Sequence, residues 1–322
     1  MNIKEHFKVY FLLASTAVLA VLLILMARLI QGSTDSIQPV HIFGATYMTR
    51  NNPYFDVLQE GIEEVVEGNG DILISRDPNQ DQEKQNEQIM EMIDEGIEVL
   101  FLNPVDKEKV LPALQACQEA GVTVINVDTV VENTEYVTAI IETDNYQAGV
   151  LCAQDMMERI DAGRIVILDN PIQNSITSRV QGFMDTIEGN DPFEIVYEGI
   201  SEGEFEVAAD IMASCLEQNI EFNVILGGND PTALGARAAL QQYHVGDDVL
   251  IYGIDGSPDF KAMLELGYVT ATSAQSPATL GRVAAEMAYD YLNGEEIPAY
   301  TSIEPYLIKK ENLTEYEIDV WQ

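Results

Sequence analysis

The chain has 322 residues, with 54 acidic and 16 basic side chains, a formal charge of −38 at pH 7 and 47% hydrophobic residues. That apolar share supports a packed core and excludes general disorder, and the length fits one large or two medium domains of roughly 100–200 residues each. So negative a field excludes nucleic acid and disfavours an anionic membrane surface, because phosphate binding needs clustered Lys and Arg.

Residues 9–27 form a run without a charge, interrupted only by Ser15 and Thr16 and flanked by Lys4, Lys8 and Arg28. A bilayer core about 30 Å thick needs about 20 apolar residues, so the run is long enough to span. Its exit, Ala27-Arg28-Leu29-Ile30-Gln31-Gly32, is a poor cleavage site, which favours an uncleaved anchor over a cleaved signal peptide. The lysines before the run favour an outward-facing body. Residues 1–38 therefore read as membrane anchor and linker, holding the body at the extracytoplasmic face of a bacterial membrane.

Beyond Pro39, short β-rich apolar runs at 41–44, 72–75, 99–102, 122–126, 164–168, 224–227 and 249–254 alternate with longer amphipathic stretches. Helices are expected at 54–67, 81–95, 107–120, 145–159 and 204–218. Strands with little polar interruption, separated by helices of ten or more residues, imply parallel sheets covered on both faces. Ten or more strands exceed one ordinary doubly wound sheet, so the fold class is α/β with two doubly wound lobes.

Polar residues cluster directly after the apolar runs: Asn51-Asn52-Pro53-Tyr54-Phe55, then Asp128, Asn229-Asp230, Asp255 and Gln275. Asn and Asp are also common helix caps, but ligands of open α/β sheets bind at the carboxyl ends of strands, where these positions converge. Asp128 and Asp255 accept hydrogen bonds, Asn52, Asn229 and Gln275 both donate and accept, and Arg179 offers a rigid fork of donors. Tyr54, Phe55 and Phe205 supply flat apolar faces. Hydroxyls on an edge and C–H groups on the faces describe a monosaccharide ring. No GxGxxG or GxxxxGK motif is present, so no nucleotide cofactor is expected.

At these residues the chain resembles the ribose/galactose-type sugar-binding proteins of bacterial ABC importers, in the type I periplasmic-binding-protein fold. The resemblance runs from about Val40 to about Leu307. It is carried by Asn51-Asn52-Pro53-Tyr54-Phe55, Leu102-Asn103-Pro104, Arg179-Val180-Gln181-Gly182-Phe183, Gly228-Asn229-Asp230 with Ala233-Leu234-Gly235-Ala236, Gly253-Ile254-Asp255-Gly256 and Ala274-Gln275. It implies ring stacking by Tyr54, Phe55 and Phe205, and hydroxyl binding by Asn52, Asp128, Arg179, Asn229, Asp255 and Gln275. The chain departs from the pattern in three ways. Thr129 stands where ribose binders have an arginine, the only tryptophan is Trp321, and no lipid-bearing cysteine follows the apolar run.

The resemblance further implies three crossings between the lobes, near Thr143, Gln275 and Ile303. Lobe one is then 39–143 plus 276–303, and lobe two is 144–275 plus 304–322. The function implied is capture of a pentose or hexose for an ABC permease, without catalysis. A tethered sensor reporting to a membrane histidine kinase is the alternative.

Other signals read as structural. Cys117, Cys152 and Cys215 lie in helical patterns and suit small buried thiols. Asp77-Pro78-Asn79-Gln80-Asp81 imitates the start of a calcium loop, but Gln82 and Gln88 occupy the positions needing Gly and Glu, so Asp81 reads as a helix cap. His6, His41 and His244 form no metal pattern.

Overall fold

From residue 42 onward the alternation of patterns becomes strands and helices of matching order. The first half runs β1 (Ile42–Thr46), α1 (Pro53–Gly68), β2 (Ile72–Arg76), α2 (Gln82–Asp94), β3 (Val99–Leu102), α3 (Leu111–Ala120), β4 (Thr123–Val127) and β5 (Ala139–Thr143). Next come α4 (Asn145–Arg159), β6 (Gly163–Asp169), α5 (Asn174–Ile187), β7 (Phe193–Ile200), α6 (Phe205–Glu217), β8 (Val224–Gly227) and α7 (Asp230–Gln242). The chain continues with β9 (Leu250–Asp255), α8 (Pro258–Leu266), β10 (Ala271–Ala274), α9 (Pro277–Leu292), β11 (Tyr300–Ile303) and β12 (Tyr306–Lys309). This is a computed structural model describing Thr16, residues 18–23, Met26 and residues 40–321. Most of the expected membrane span at 9–27 lies outside the described residues, and among the described residues no helix is long and apolar enough to cross a membrane.

The strands form two six-stranded sheets, in the orders β11-β5-β4-β3-β1-β2 and β12-β10-β9-β8-β6-β7. All neighbours pair in parallel except β12, which runs antiparallel to β10. The chain passes from one sheet to the other after β5, after β10 and after β11. In each sheet the first strand, β1 or β6, is flanked by the two that follow it. Such a reversal of winding opens a crevice beyond the carboxyl ends of the strands.

The central strands β3 and β8 are wholly buried, because helices cover both faces of each sheet. In the first lobe, Leu58, Ile62 and Val66 of α1 and Leu280, Ala284 and Ala288 of α9 pack with Phe43, Phe101 and Ile125. On the opposite face α2 and α3 contribute Ile89, Met92, Leu114 and Cys117. In the second lobe Ala148, Cys152 and Met156 of α4 meet Val180 and Phe183 of α5 over Ile165, Ile167 and Leu226. All three cysteines are buried and unpaired. The α4–α5 contact is backbone against backbone: a Cβ at Gly149 would overlap the Arg179 carbonyl, and one at Gly182 would overlap that of Tyr146.

Several elements differ from the periodicity reading. The helix expected at 107–120 starts at Leu111, with Pro112 in its first turn, where proline's missing N–H costs nothing. The preceding residues instead turn around Asp106, which accepts from the Glu108 and Lys109 amides. β7 and β11 alternate partly buried and exposed residues, since they sit at or near a sheet edge and lack a continuous apolar run. Asp81 caps α2 by accepting from the Glu83 and Lys84 amides, and among the described residues no acidic, His or Cys cluster could hold a metal ion.

Candidate functional site

The two lobes face each other across the carboxyl ends of their strands. Asn52 caps α1, its Oδ1 accepting from the Tyr54 amide at 3.0 Å, and Tyr54 and Phe55 follow in the first turn. Asn229 caps α7 in the same way, accepting from the Thr232 amide at 3.0 Å and donating through Nδ2 to Gly203 O at 3.0 Å. Capping and lining the cleft are thus compatible roles. Asp128, just after β4, has φ 64°, and Asp255, the last residue of β9, has φ 148°. Asp tolerates the left-handed backbone of Asp128 better than most residues do, whereas the φ of Asp255 lies in a region that is rare for any residue but glycine, and such strain clusters at functional sites.

The side chains form one connected network. Tyr54 Oη donates to Asp128 Oδ1 at 3.1 Å and lies 3.4 Å from Gln275 Oε1. Gln275 Nε2 donates to Asp255 Oδ1 at 2.7 Å. Asp128 Oδ2 accepts from Asn103 Nδ2 at 3.0 Å and from Thr129 Oγ1 at 3.1 Å. Arg179 is held by Asn145 Oδ1 through Nε at 2.8 Å and by Gly228 O through Nη1 at 2.9 Å, with Nη1 3.7 Å from Asp255 Oδ1. Asp255 Oδ2 is buried and has no hydrogen-bond partner.

Burial dominates the electrostatics. It raises the carboxyl of Asp128 above its usual range, with Arg179 pulling the other way. It raises Asp255 further, to about 8, against Arg179 and with help from the neighbouring Asp230 and Asp128 carboxylates. Asp230 is fully buried behind the cleft, binding the Ser257 amide and Thr272 hydroxyl at 2.7 Å each. Burial and Asp128 push the Tyr54 phenol well up, so it remains a donor.

These groups surround a small cavity of about 40 Å³ between the lobes. Eight of the nine residues expected from sequence line it: Asn52, Tyr54, Phe55, Asp128, Arg179, Asn229, Asp255 and Gln275. Phe205 does not. It is the first residue of α6, 39% exposed, and faces a neighbouring pocket with Pro53, Pro231 and Trp321. Its backbone explains the displacement, because the Phe205 carbonyl is pressed against Gly235 of α7, so that a Cβ there would overlap it.

The cavity also contains residues that the strand-end rule left out: Met48, Gln173, Ser175, Glu202 and Glu204. Gln173 and Ser175 follow β6 as the others follow their strands, and the same rule applied there would have found them. Several of these hold the lobes together directly. Ser175 Oγ lies 3.1 Å from Thr129 Oγ1, Gln173 Nε2 lies 3.0 Å from Met48 Sδ, and Gln80 donates to Glu204.

A fold of paired parallel sheets with polar groups meeting at their strand ends has known counterparts. The model of the periplasmic binding protein domain matches residues 43–296. The chain belongs to that family. Among curated members, the ribose import binding protein of Bacillus subtilis (strain 168) is 26% identical over 79% of this chain and 82% of its own length. That of Escherichia coli (strain K12) is 26% identical over 82% and 88%. Among solved periplasmic binding proteins, an ABC transporter solute binding protein from Mycobacterium smegmatis with bound glycerol superposes with TM-score 0.81. It is 27% identical over 86% of this chain and 96% of that one. The Caulobacter myo-inositol binding protein bound to myo-inositol gives TM-score 0.80 and 25% identity over 85% and 95%. In this member of the family, Thr129 bonds to Asp128 and Ser175, so two hydroxyls meet at that corner of the cleft.

Proposed function

We propose that this periplasmic binding protein captures an uncharged monosaccharide, a pentose or hexose, between its lobes and presents it to a sugar ABC importer, with no catalytic step. The observation that carries this reading is Asp255 Oδ2, a buried carboxyl oxygen without a partner beside the cavity. Buried polar atoms are rarely left unpaired, and a ligand hydroxyl, which both donates and accepts, supplies the missing partner. The single Arg179 in the lining is already engaged by Asn145 and Gly228 and shares that lining with the carboxylates of Glu202 and Glu204, which disfavours phosphorylated or acidic sugars. Tyr54 and Phe55, packed edge to face with centroids 5.3 Å apart, form an aromatic wall of the cavity, a surface suited to the C–H groups of a sugar. The relatives that import ribose support the same class of ligand.

Binding closes two lobes, which we assign to 39–143 plus 276–303 and to 144–275 plus 304–322. A ligand touching both stabilises the closed state relative to the open one. The uncharged run at 9–27 would tether the protein to the extracytoplasmic face of the membrane. A tether also suits a sensor, and co-purification of the chain from detergent with a histidine kinase and no permease would favour that alternative. The binding test is titration calorimetry of the full chain with D-ribose, D-allose, L-arabinose, myo-inositol and D-ribose 5-phosphate. Heat with at least one neutral compound and none with the phosphate is expected. Failure of all neutral compounds, or tighter binding of the phosphate, would overturn the reading.

A further inference from the structure

The only tryptophan, Trp321, lies at the seam of the cleft. After β12, the chain follows the second lobe as a strap. Leu313 is buried in that lobe's core with Phe260 and Ile308, and Tyr316 and Ile318 pack against the same cluster. Tyr316 stacks on Tyr306 with ring centroids 5.5 Å apart. Lys261 of α8, with no exposed surface, donates to the Glu317 carbonyl at 2.7 Å and to the Val320 carbonyl at 2.5 Å. A buried ammonium costs heavily unless its protons are bonded, so those two carbonyls and Lys261 fix each other and pin the strap to the second lobe.

One residue later the chain changes lobe. The Trp321 ring meets Tyr54 edge to face, with centroids 5.8 Å apart at 73°, and packs with the first lobe's core. Pro231, Leu234 and Pro258 of the second lobe line the same pocket as Pro53 and Trp321. The indole therefore sits between the lobes, behind the phenol that donates to Asp128.

We propose that Trp321 is a positioning residue for ligand capture: the strap, pinned by Lys261, carries the indole onto Tyr54 when the lobes close and holds its hydroxyl in the cleft. Opening separates the indole from Tyr54, because the strap moves with the second lobe and Tyr54 with the first. The indole thus favours the closed state without touching the ligand. For the ligand itself this inference rests on the sugar-binding reading above.

Because the chain has one tryptophan, its fluorescence reports this contact alone. With the full chain in mild detergent, Tyr54→Ala and Lys261→Met should each shift the emission to the red and increase quenching by acrylamide. Unchanged emission in both variants would overturn the proposal. With any of the neutral compounds that binds the wild type, Trp321→Ala should weaken binding by about three- to tenfold, as expected for loss of one aromatic pair, chiefly through faster release. Trp321→Phe should restore most of the affinity. Equal affinity and release rate in Trp321→Ala and wild type would overturn the proposal while leaving sugar binding intact. If no compound binds the wild type, the sugar reading fails, and small-angle scattering still decides on the strap. A larger radius of gyration for Trp321→Ala than for wild type supports it, and an identical one refutes it.

Discussion

Replacing Asp255 with asparagine should weaken binding and yet stabilise the empty protein, in a way that depends on pH. The amide keeps the shape and can still accept from Gln275 Nε2, now 2.7 Å from Oδ1, but it cannot ionise, so no buried and only partly compensated charge forms as pH rises. In the folded protein the Asp255 carboxyl holds its proton to about 8, whereas in the unfolded chain it releases it near 4. The native state thus binds the proton more strongly. Its contribution to stability is fully present below about pH 4 and is lost progressively as pH rises to about 8.

Each unit of such a shift corresponds to about 1.4 kcal/mol, and the shared burial with Asp230 lowers what one substitution recovers, so a gain of about 2 kcal/mol at pH 8 is expected. For lobes of this size that is about 4–8 °C in the thermal midpoint. The assay is calorimetric melting of wild type and Asp255→Asn from pH 4 to pH 9 without sugar, alongside sugar titration at pH 7. The two midpoints should meet near pH 4 and diverge upward. Parallel curves, or a variant less stable than wild type at pH 8, would refute the claim that this carboxyl is buried under strain for the sake of a ligand.

Arg179→Lys should weaken sugar binding by tenfold or more in calorimetry, because an ammonium cannot serve Asn145, Gly228 and the cavity from the fork's fixed directions. Tyr54→Phe should cost about 1 kcal/mol of affinity, the value of one hydrogen bond. Phe205→Ala, outside the cavity, should change the dissociation constant by less than about threefold, within the range of surface substitutions. Gly149→Ala should lower the melting midpoint markedly by forcing α4 away from the Arg179 carbonyl, at a cost of about 1–3 kcal/mol for overpacking, and sugar affinity should fall with it. A wild-type midpoint would mean that the two helices are not in backbone contact.

Much of the cavity lining is legible in the sequence because its residues are punctuated by local structure. Asn52 and Asn229 are caps, Asp128 and Asp255 end or follow strands, and Gln275 follows β10. Each therefore sits where an apolar run stops, a position visible in one dimension. Phe205 has the same kind of sequence neighbourhood, yet its helix is seated with the side chain outside the cavity, a matter of how α6 packs on α7. The edge strands β7 and β11 are not legible in the sequence, because half-exposed strands do not form continuous apolar runs.

The alternation of apolar runs and amphipathic stretches by itself determined two covered parallel sheets, since hydrophobic period and chain length leave few other ways to bury those faces. Only the folded chain decided how residues remote in sequence meet: Thr129 against Ser175, Gln173 against Met48, and Trp321 against Tyr54. Those contacts depend on the relative seating of two lobes. That seating is fixed by the sum of many weak packing and hydrogen-bond terms across the cleft, and no local pattern in the sequence encodes it.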